Sequence, residues 1–246
     1  MTKELVVEVT GLKQQFGKTL VLDKINFETR RGEIVGLLGP SGSGKTTLVK
    51  NIVGMNNPNQ GEVIVLNTKM PSLEVVKRIG YMAQADALYD DLSGLDNLLF
   101  FASLYDLKGK VAKKRAVEVL TLVHLENEGK KLVHNYSGGM KRRLSLAIAL
   151  IHEPELLILD EPTVGTDPLL RKEFWLEFAR LRDLGATVII TTHVMDEAEH
   201  CDRLGLIRDG KIIAMGTPTE LKQRAGQVTL EDTFLYYVTN PKEVVL

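Results

Sequence analysis

A single cysteine, Cys201, occurs in 246 residues. One thiol closes no internal disulfide and builds no multi-cysteine zinc site. An excess of one charge is missing too: 31 Lys and Arg stand against 32 Asp and Glu, a formal net charge of −1. That balance argues against a broadly basic nucleic-acid binder, and no nucleic-acid partner is expected. Long apolar runs are also lacking. The longest stretch free of Asp, Glu, Lys and Arg is residues 184–195, and it holds Gly, His and three Thr. A bilayer-spanning helix needs about 20 apolar residues, so the chain is expected not to cross a membrane by itself. The start, Met1-Thr2-Lys3-Glu4, runs into alternating Val and Glu without the apolar core of a secretory leader. There is no internal repeat, low-complexity tract or long linker.

What remains is ordinary globular material, 44% hydrophobic and 26% charged. The length suits one large domain, or a domain with a subdomain, and buries a sizeable core. Residues 5–9 and 25–29 alternate apolar and polar, as strands with one wet face do. Residues 34–38 are almost wholly apolar, which suits a buried strand of a parallel sheet. A Gly-rich loop follows, then a helix over 45–53. Residues 62–66 and 78–82 read as further strands. From Ser93, a plausible N-cap, to about His152 apolar residues recur at helical spacing, as at Leu95, Leu98, Leu99 and Ala102. Strands return at 156–159 and 187–191. Between them Asp167-Pro168 starts a helix that Gly185 can end. Residues 203–208 and 211–215 form a hairpin around Asp209-Gly210. The fold class read from this pattern is α/β. It has a core with a mainly parallel sheet (1–92 and 153–246), an N-terminal antiparallel β subdomain, and an inserted helical subdomain (93–152).

Gly39-Pro40-Ser41-Gly42-Ser43-Gly44-Lys45-Thr46-Thr47 matches G-x-x-x-x-G-K-[ST] between a predicted strand and a predicted helix, the signature of a P-loop NTPase core. Glycines let successive backbone N–H groups converge on a phosphate, and the start of the following helix adds its positive end. Lys45 supplies a charge for the β and γ phosphates, and the Thr46 hydroxyl can ligate Mg²⁺.

The strand at 156–159 ends in Asp160-Glu161. In a parallel sheet these carboxylates share the carboxyl edge with the phosphate loop. Asp160 can hold Mg²⁺ through its water shell, and Glu161 can act as general base on the attacking water. His193 follows the strand at 187–191 and reaches the same edge, placed for a γ-phosphate contact. Gln84, just past the strand ending at Met82, can reach the metal or the water.

Ser137-Gly138-Gly139-Met140-Lys141 then decides the family. The chain resembles the nucleotide-binding subunit of ATP-binding cassette (ABC) transporters, most closely the drug and polysaccharide exporter branch. The resemblance runs along nearly the whole chain and in the family's order of motifs. It implies ATP and Mg²⁺ as cofactors and ATPase activity. It implies adenine stacking by Phe16, phosphate binding by Gly39 through Thr47, and contact of Ser137, Gly138 and Gly139 with ATP held by a second copy. It further implies metal support by Asp160, Thr46 and Gln84, catalysis by Glu161 with His193 and Gln84, and cross-dimer communication by Asp167. The implied partners are a second nucleotide-binding subunit, as homo- or heterodimer, and a membrane-spanning permease. The implied place is the cytoplasmic face of the membrane, held there by the permease.

Val164-Gly165, Asp196-Glu197-Ala198-Glu199 and residues 230–234 carry the likeness to exporters. Four positions depart from the commonest family pattern: Phe16 for Tyr, Ala83 for Pro, Tyr136 for Leu, and Thr166 for an apolar residue. Lys141-Arg142-Arg143 reads as a solvated helix face. Two alternatives stay open: a soluble ABC-type ATPase acting on ribosome or DNA, and a P-loop kinase or GTPase. The signature turn and the lack of an Asn-Lys-x-Asp motif argue against the latter.

Overall fold

The computed structural model describes residues 4–240. The leader reading at Met1, Thr2 and Lys3 and the last six residues of the core reading lie outside them. Strands β1 (Leu5–Phe16) and β2 (Thr19–Arg30) open the chain, and β3 (Ile34–Leu38) leads into helix α1 (Lys45–Ile52). Then come β4 (Gln60–Val65), β5 (Thr68–Lys69), α2 (Leu73–Val76) and β6 (Ile79–Met82). Helices α3 (Gly94–Leu104), α4 (Gly109–Leu122) and α5 (Gly138–Leu150) follow in succession. The remainder alternates as β7 (Leu156–Asp160), α6 (Pro168–Asp183), β8 (Thr187–Thr192), α7 (Met195–Ala198), β9 (Arg203–Arg208) and β10 (Lys211–Gly216), closing with α8 (Pro218–Ala225) and α9 (Leu230–Thr239).

Two sheets result. One is antiparallel, in the order β2-β1-β4-β5, and the other runs β10-β9-β3-β8-β7-β6. Within the second, every pairing from β9 to β6 is parallel, and only β10 is antiparallel. This is the α/β architecture expected from the sequence.

The short apolar runs are buried on both faces because the pleat alternates their side chains. Val35, Leu37, Leu156, Ile158 and Ile189 face a core shared with the antiparallel sheet and α1. Ile34, Leu38, Leu157, Leu159, Val188 and Ile190 face the core built with α5 and α6. Each such side chain contributes about 1.5–3 kcal/mol when fully buried.

Register sets the site. Leu38 pairs with Thr192, Thr191 with Asp160, and Leu159 with Met82. The loops after β6, β3, β7 and β8 therefore leave the sheet at one edge, where ligands collect in open parallel sheets. The first strand is longer than its alternation predicts. Gly11 takes φ +57°, and the pairing with β2 slips between Val9 and Leu12. A bulge of this kind breaks the period-2 pattern without ending the strand. Among the described residues no helix is long and apolar enough to cross a membrane.

Candidate ATP site

The phosphate loop bridges β3 and α1. Gly39 is needed for close approach: a Cβ there would stand 2.1 Å from the Ile207 carbonyl oxygen. Gly44 takes φ +106° at the start of α1, whose first turn has no side-chain cap. Its leading N–H groups are thus left to a ligand or solvent, at the positive end of the helix. The Ser43 hydroxyl is buried without a partner. Lys45 is 5% exposed, and its ammonium donates to the carbonyls of Gly39 (2.7 Å) and Pro40 (3.0 Å). Burial pushes its pKa down, opposed by the charges of Glu161 and Asp160.

Asp160 ends β7 fully buried. Its Oδ1 accepts from the Thr191 hydroxyl, while Oδ2 has no partner. The chain then turns sharply. Glu161 takes φ +52°, a left-handed conformation unusual for a residue with a side chain, and its N–H donates to Thr191 Oγ1 at 3.0 Å. That turn aims the carboxylate across the sheet edge. Glu161 Oε1 lies 3.2 Å from His193 Nδ1 and 3.9 Å from Lys45 Nζ. Glu161 Oε2 accepts from Gln84 Nε2 at 3.3 Å. A proton on His193 Nδ1 makes that ring the donor to the carboxylate. Three residues predicted separately, Gln84, Glu161 and His193, thus meet.

A cleft of about 270 Å³ lies above the loop, lined by Val21, Ser41, Gly42, Gly44, Lys45, Thr46, Thr47, Gln84 and Glu161. Larger clefts, of about 430, 420 and 400 Å³, lie elsewhere and contain none of these residues. We take the 270 Å³ cleft as the site, because it alone of these joins the Gly-rich loop to the carboxylate. Phe16 ends β1 half exposed, and β2 brings Val21 to the cleft wall.

Ser137, Gly138 and Gly139 are not among the lining residues. Ser137 caps α5, its hydroxyl accepting from Met140 N at 3.2 Å, and a Cβ on either glycine would meet open space. Asp167 likewise caps α6, accepting from Leu170 N at 2.9 Å.

The departures at positions 136 and 166 have local reasons. The Tyr136 hydroxyl donates to the Glu128 carbonyl at 2.8 Å, and Thr166 Oγ1 donates to the Thr163 carbonyl at 2.6 Å. The solvated face expected at Lys141-Arg142-Arg143 is corrected at its middle residue. Lys141 pairs with Asp90 and Arg143 reaches the His124 carbonyl, but Arg142 is only 7% exposed and points into the molecule. The run of three charges suggested one wet face, but consecutive helix positions point in different directions, and the depth of Arg142 depends on which loops pack there.

Sequence reasoning singled out Glu197 for its likeness to exporters but not as a residue of the site. Buried, it accepts from the Thr163 and Thr192 hydroxyls and lies 3.5 Å from Arg171 Nε. It ties the segment after Glu161 to the residue before His193. The signal was its short spacing from His193.

Comparison with known proteins identifies the family. A family model described as ABC transporter matches residues 22–164. "Probable multidrug ABC transporter ATP-binding protein YbhF" of Escherichia coli is 41% identical over 96% of this chain, which spans only 42% of that protein's length. The linearmycin resistance ATP-binding protein LnrL of Bacillus subtilis is 40% identical over 92% of this chain and 73% of its own. The doxorubicin resistance ATP-binding protein DrrA of Mycobacterium tuberculosis is 40% identical over 93% and 70%. Among solved structures, an ATP-binding subunit of an ABC transporter superposes with TM-score 0.88 at 26% identity, covering 95% of this chain and 99% of the other. The dimeric cassette MJ0796, in a post-hydrolysis state with ADP and Pi, gives 0.80 at 27%, covering 86% and 98%. With its phosphate loop, its carboxylate strand and these relatives in agreement, the chain belongs to the ABC transporter family, as one of its ATP-binding cassettes.

Proposed function

We propose that this chain binds ATP and hydrolyses it to ADP and phosphate as the energising subunit of an ABC transporter. The observation that carries the reading is the place of Glu161 Oε1, between Lys45 Nζ and His193 Nδ1 at the mouth of the phosphate-loop cleft. In this reading residues 39–47 and Lys45 hold the phosphates, and Phe16 stacks on the adenine. Glu161 accepts a proton from water as its oxygen attacks the γ-phosphorus and ADP leaves. His193 and Gln84 hold the carboxylate at its two oxygens, which fixes its direction at the mouth of the cleft beside Lys45.

A magnesium ion fits the residues present. Asp160 Oδ2 is buried and unpartnered, and Thr46 and Gln84 line the adjoining cleft. These three residues would hold it, and it would offset charge on the β and γ phosphates.

Ser137, Gly138 and Gly139 stand outside their own cleft, which supports completion of each site by a second copy or a related chain. ATP would close that dimer and hydrolysis reopen it. Residues 93–152 would act as the arm carrying the signature turn, between the nucleotide and a membrane-spanning permease that keeps the chain at the membrane. The drug-resistance names of LnrL and DrrA, with YbhF's multidrug name, favour export over a soluble role on ribosome or DNA. Co-purification tests this reading: a membrane-spanning partner is expected to copurify with the chain from detergent extracts. A chain that instead copurifies with ribosomes or DNA overturns the transport reading.

A further inference from the structure

Arg142 is the most heavily engaged side chain near the site, and no step above uses it. It lies on the second turn of α5, one turn beyond Ser137, Gly138 and Gly139. A guanidinium offers five N–H donors in a fixed plane. Here all five are spent on backbone carbonyls. Nη1 donates to Ala83 (2.8 Å) and Gln84 (3.1 Å), both in the loop after β6. Nη2 donates to Asp160 (2.7 Å) and Glu161 (2.6 Å), and Nε to Pro162 (3.2 Å), all at the end of β7 and just beyond it. One turn along α5, the Ser145 hydroxyl donates to Asp86 Oδ1 at 2.7 Å, and Asp86 lies 3.6 Å from Arg142 Nη1.

A charge this deep is tolerated only when every donor is satisfied. The geometry therefore has little slack. Displacing either of the two packed segments would leave a buried cation with unused donors.

We propose that Arg142 is a positioning residue that locks the Gln84 loop, the Glu161 turn and helix α5 into one unit, so that a displacement of the signature turn moves Gln84 and the Glu161 carboxylate together. This rests on the reading of Glu161 as base and of Ser137–Gly139 as the turn facing a second nucleotide. It adds the part that joins them. The phosphate loop is not among the groups Arg142 touches, so the chemical step is expected to suffer more than nucleotide affinity within one chain.

Arg142→Lys keeps the charge but has three tetrahedral donors, too few for five carbonyls on two loops. In the full chain, kcat for ATP is expected to fall at least tenfold while KM stays within twofold. Amide hydrogen exchange is expected to accelerate in residues 83–86 and in 160–163 alike. Exchange rising in one loop only or in neither, or a KM that rises in step with the loss of kcat, overturns the proposal. If Arg142→Lys does not fold, Ser145→Ala, which removes only the outer tether through Asp86, takes its place. A threefold or larger drop in kcat at constant KM supports the lock, and an unchanged kcat overturns it. The exchange readout does not depend on which residue is the base. Should Glu161→Gln hydrolyse ATP at the parent rate, the base assignment falls while the two-loop coupling is still decided by exchange.

Discussion

His193 Nδ1 lies 3.2 Å from Glu161 Oε1, although 32 positions separate the two residues. Neighbouring parallel strands bring them together: Asp160, just before Glu161, pairs with Thr191, two residues before His193. The carboxylate has little freedom, since Gln84 holds its other oxygen and the backbone beneath it is left-handed. Glu161→Gln keeps the shape and removes the proposed base. Hydrolysis is expected to slow by roughly 10²–10⁴-fold while ATP binding persists. A nucleotide-bound dimer should accumulate, visible as an earlier peak on size exclusion. A variant that turns over like the parent contradicts the assignment.

Lys45 is held by two carbonyls of its own loop with Glu161 nearby, and burial disfavours its charge. Phosphate oxygens would replace those weaker partners with charge-assisted ones. Hydrogen bonds to charged groups are worth about 1.5–3 kcal/mol each. Lys45→Ala is therefore expected to weaken ATP binding by roughly 10–100-fold, leaving two carboxylates facing the polyphosphate without their cation. Isothermal titration measures this directly, and unchanged affinity would falsify the phosphate-loop reading.

Much of this is legible in the sequence, and the pattern of what is not is physical. Strand 34–38 and hairpin strand 203–208 have the bounds read from sequence, because apolar runs closed by Gly or by Asp-Gly are local signals. Ser93 and Asp167 act as the N-caps expected of them. The continuation of β1 past Val9 was hidden by a bulge. Helix α8 went unread, although Thr217-Pro218 and Glu220 carry a capping box with Pro in the first turn. Arg142 and Glu197 were illegible for a different reason. Arg142 reaches carbonyls 18 to 59 residues away and Glu197 reaches hydroxyls 5 and 34 residues away, so the depth of each follows from how separate segments pack and not from its own neighbours in the chain.

The departure at Tyr136 is matched by a small residue at the start of α3. A Cβ on Gly94 would stand 2.2 Å from the Tyr136 hydroxyl oxygen, so α3 begins with Gly where that oxygen passes on its way to Glu128. Gly94→Ala should cost about 1–3 kcal/mol through overpacking. Adding Tyr136→Phe removes the clashing oxygen, at the expense of one hydrogen bond worth about 1 kcal/mol. The double variant is thus expected to be more stable than Gly94→Ala alone, a sign reversal that urea denaturation of all four members of the cycle detects. Additive losses would mean the two residues do not interact.

Acid sensitivity should centre on His152, which lies far from the chemistry. Its ring stacks on Tyr105 with centroids 3.6 Å apart, and its Nε2 lies 3.1 Å from the Ile79 carbonyl, while Nδ1 is buried without a partner. Burial lowers its pKa from 6.5 to about 4; the Ile79 carbonyl opposes this, and the nearby Arg115 charge adds to it. The folded state therefore binds this proton less readily than the unfolded chain. The neutral ring's contribution is complete above pH 6.5 and drains away as pH falls towards 4, by roughly 3 kcal/mol over the whole window. Between pH 6.5 and 5 the parent should lose about 2 kcal/mol more stability than His152→Phe, since carboxylates elsewhere titrate equally in both. Urea unfolding at several pH values tests this. Parallel pH profiles for the two proteins would show that the buried imidazole is protonated as easily in the fold as in the open chain.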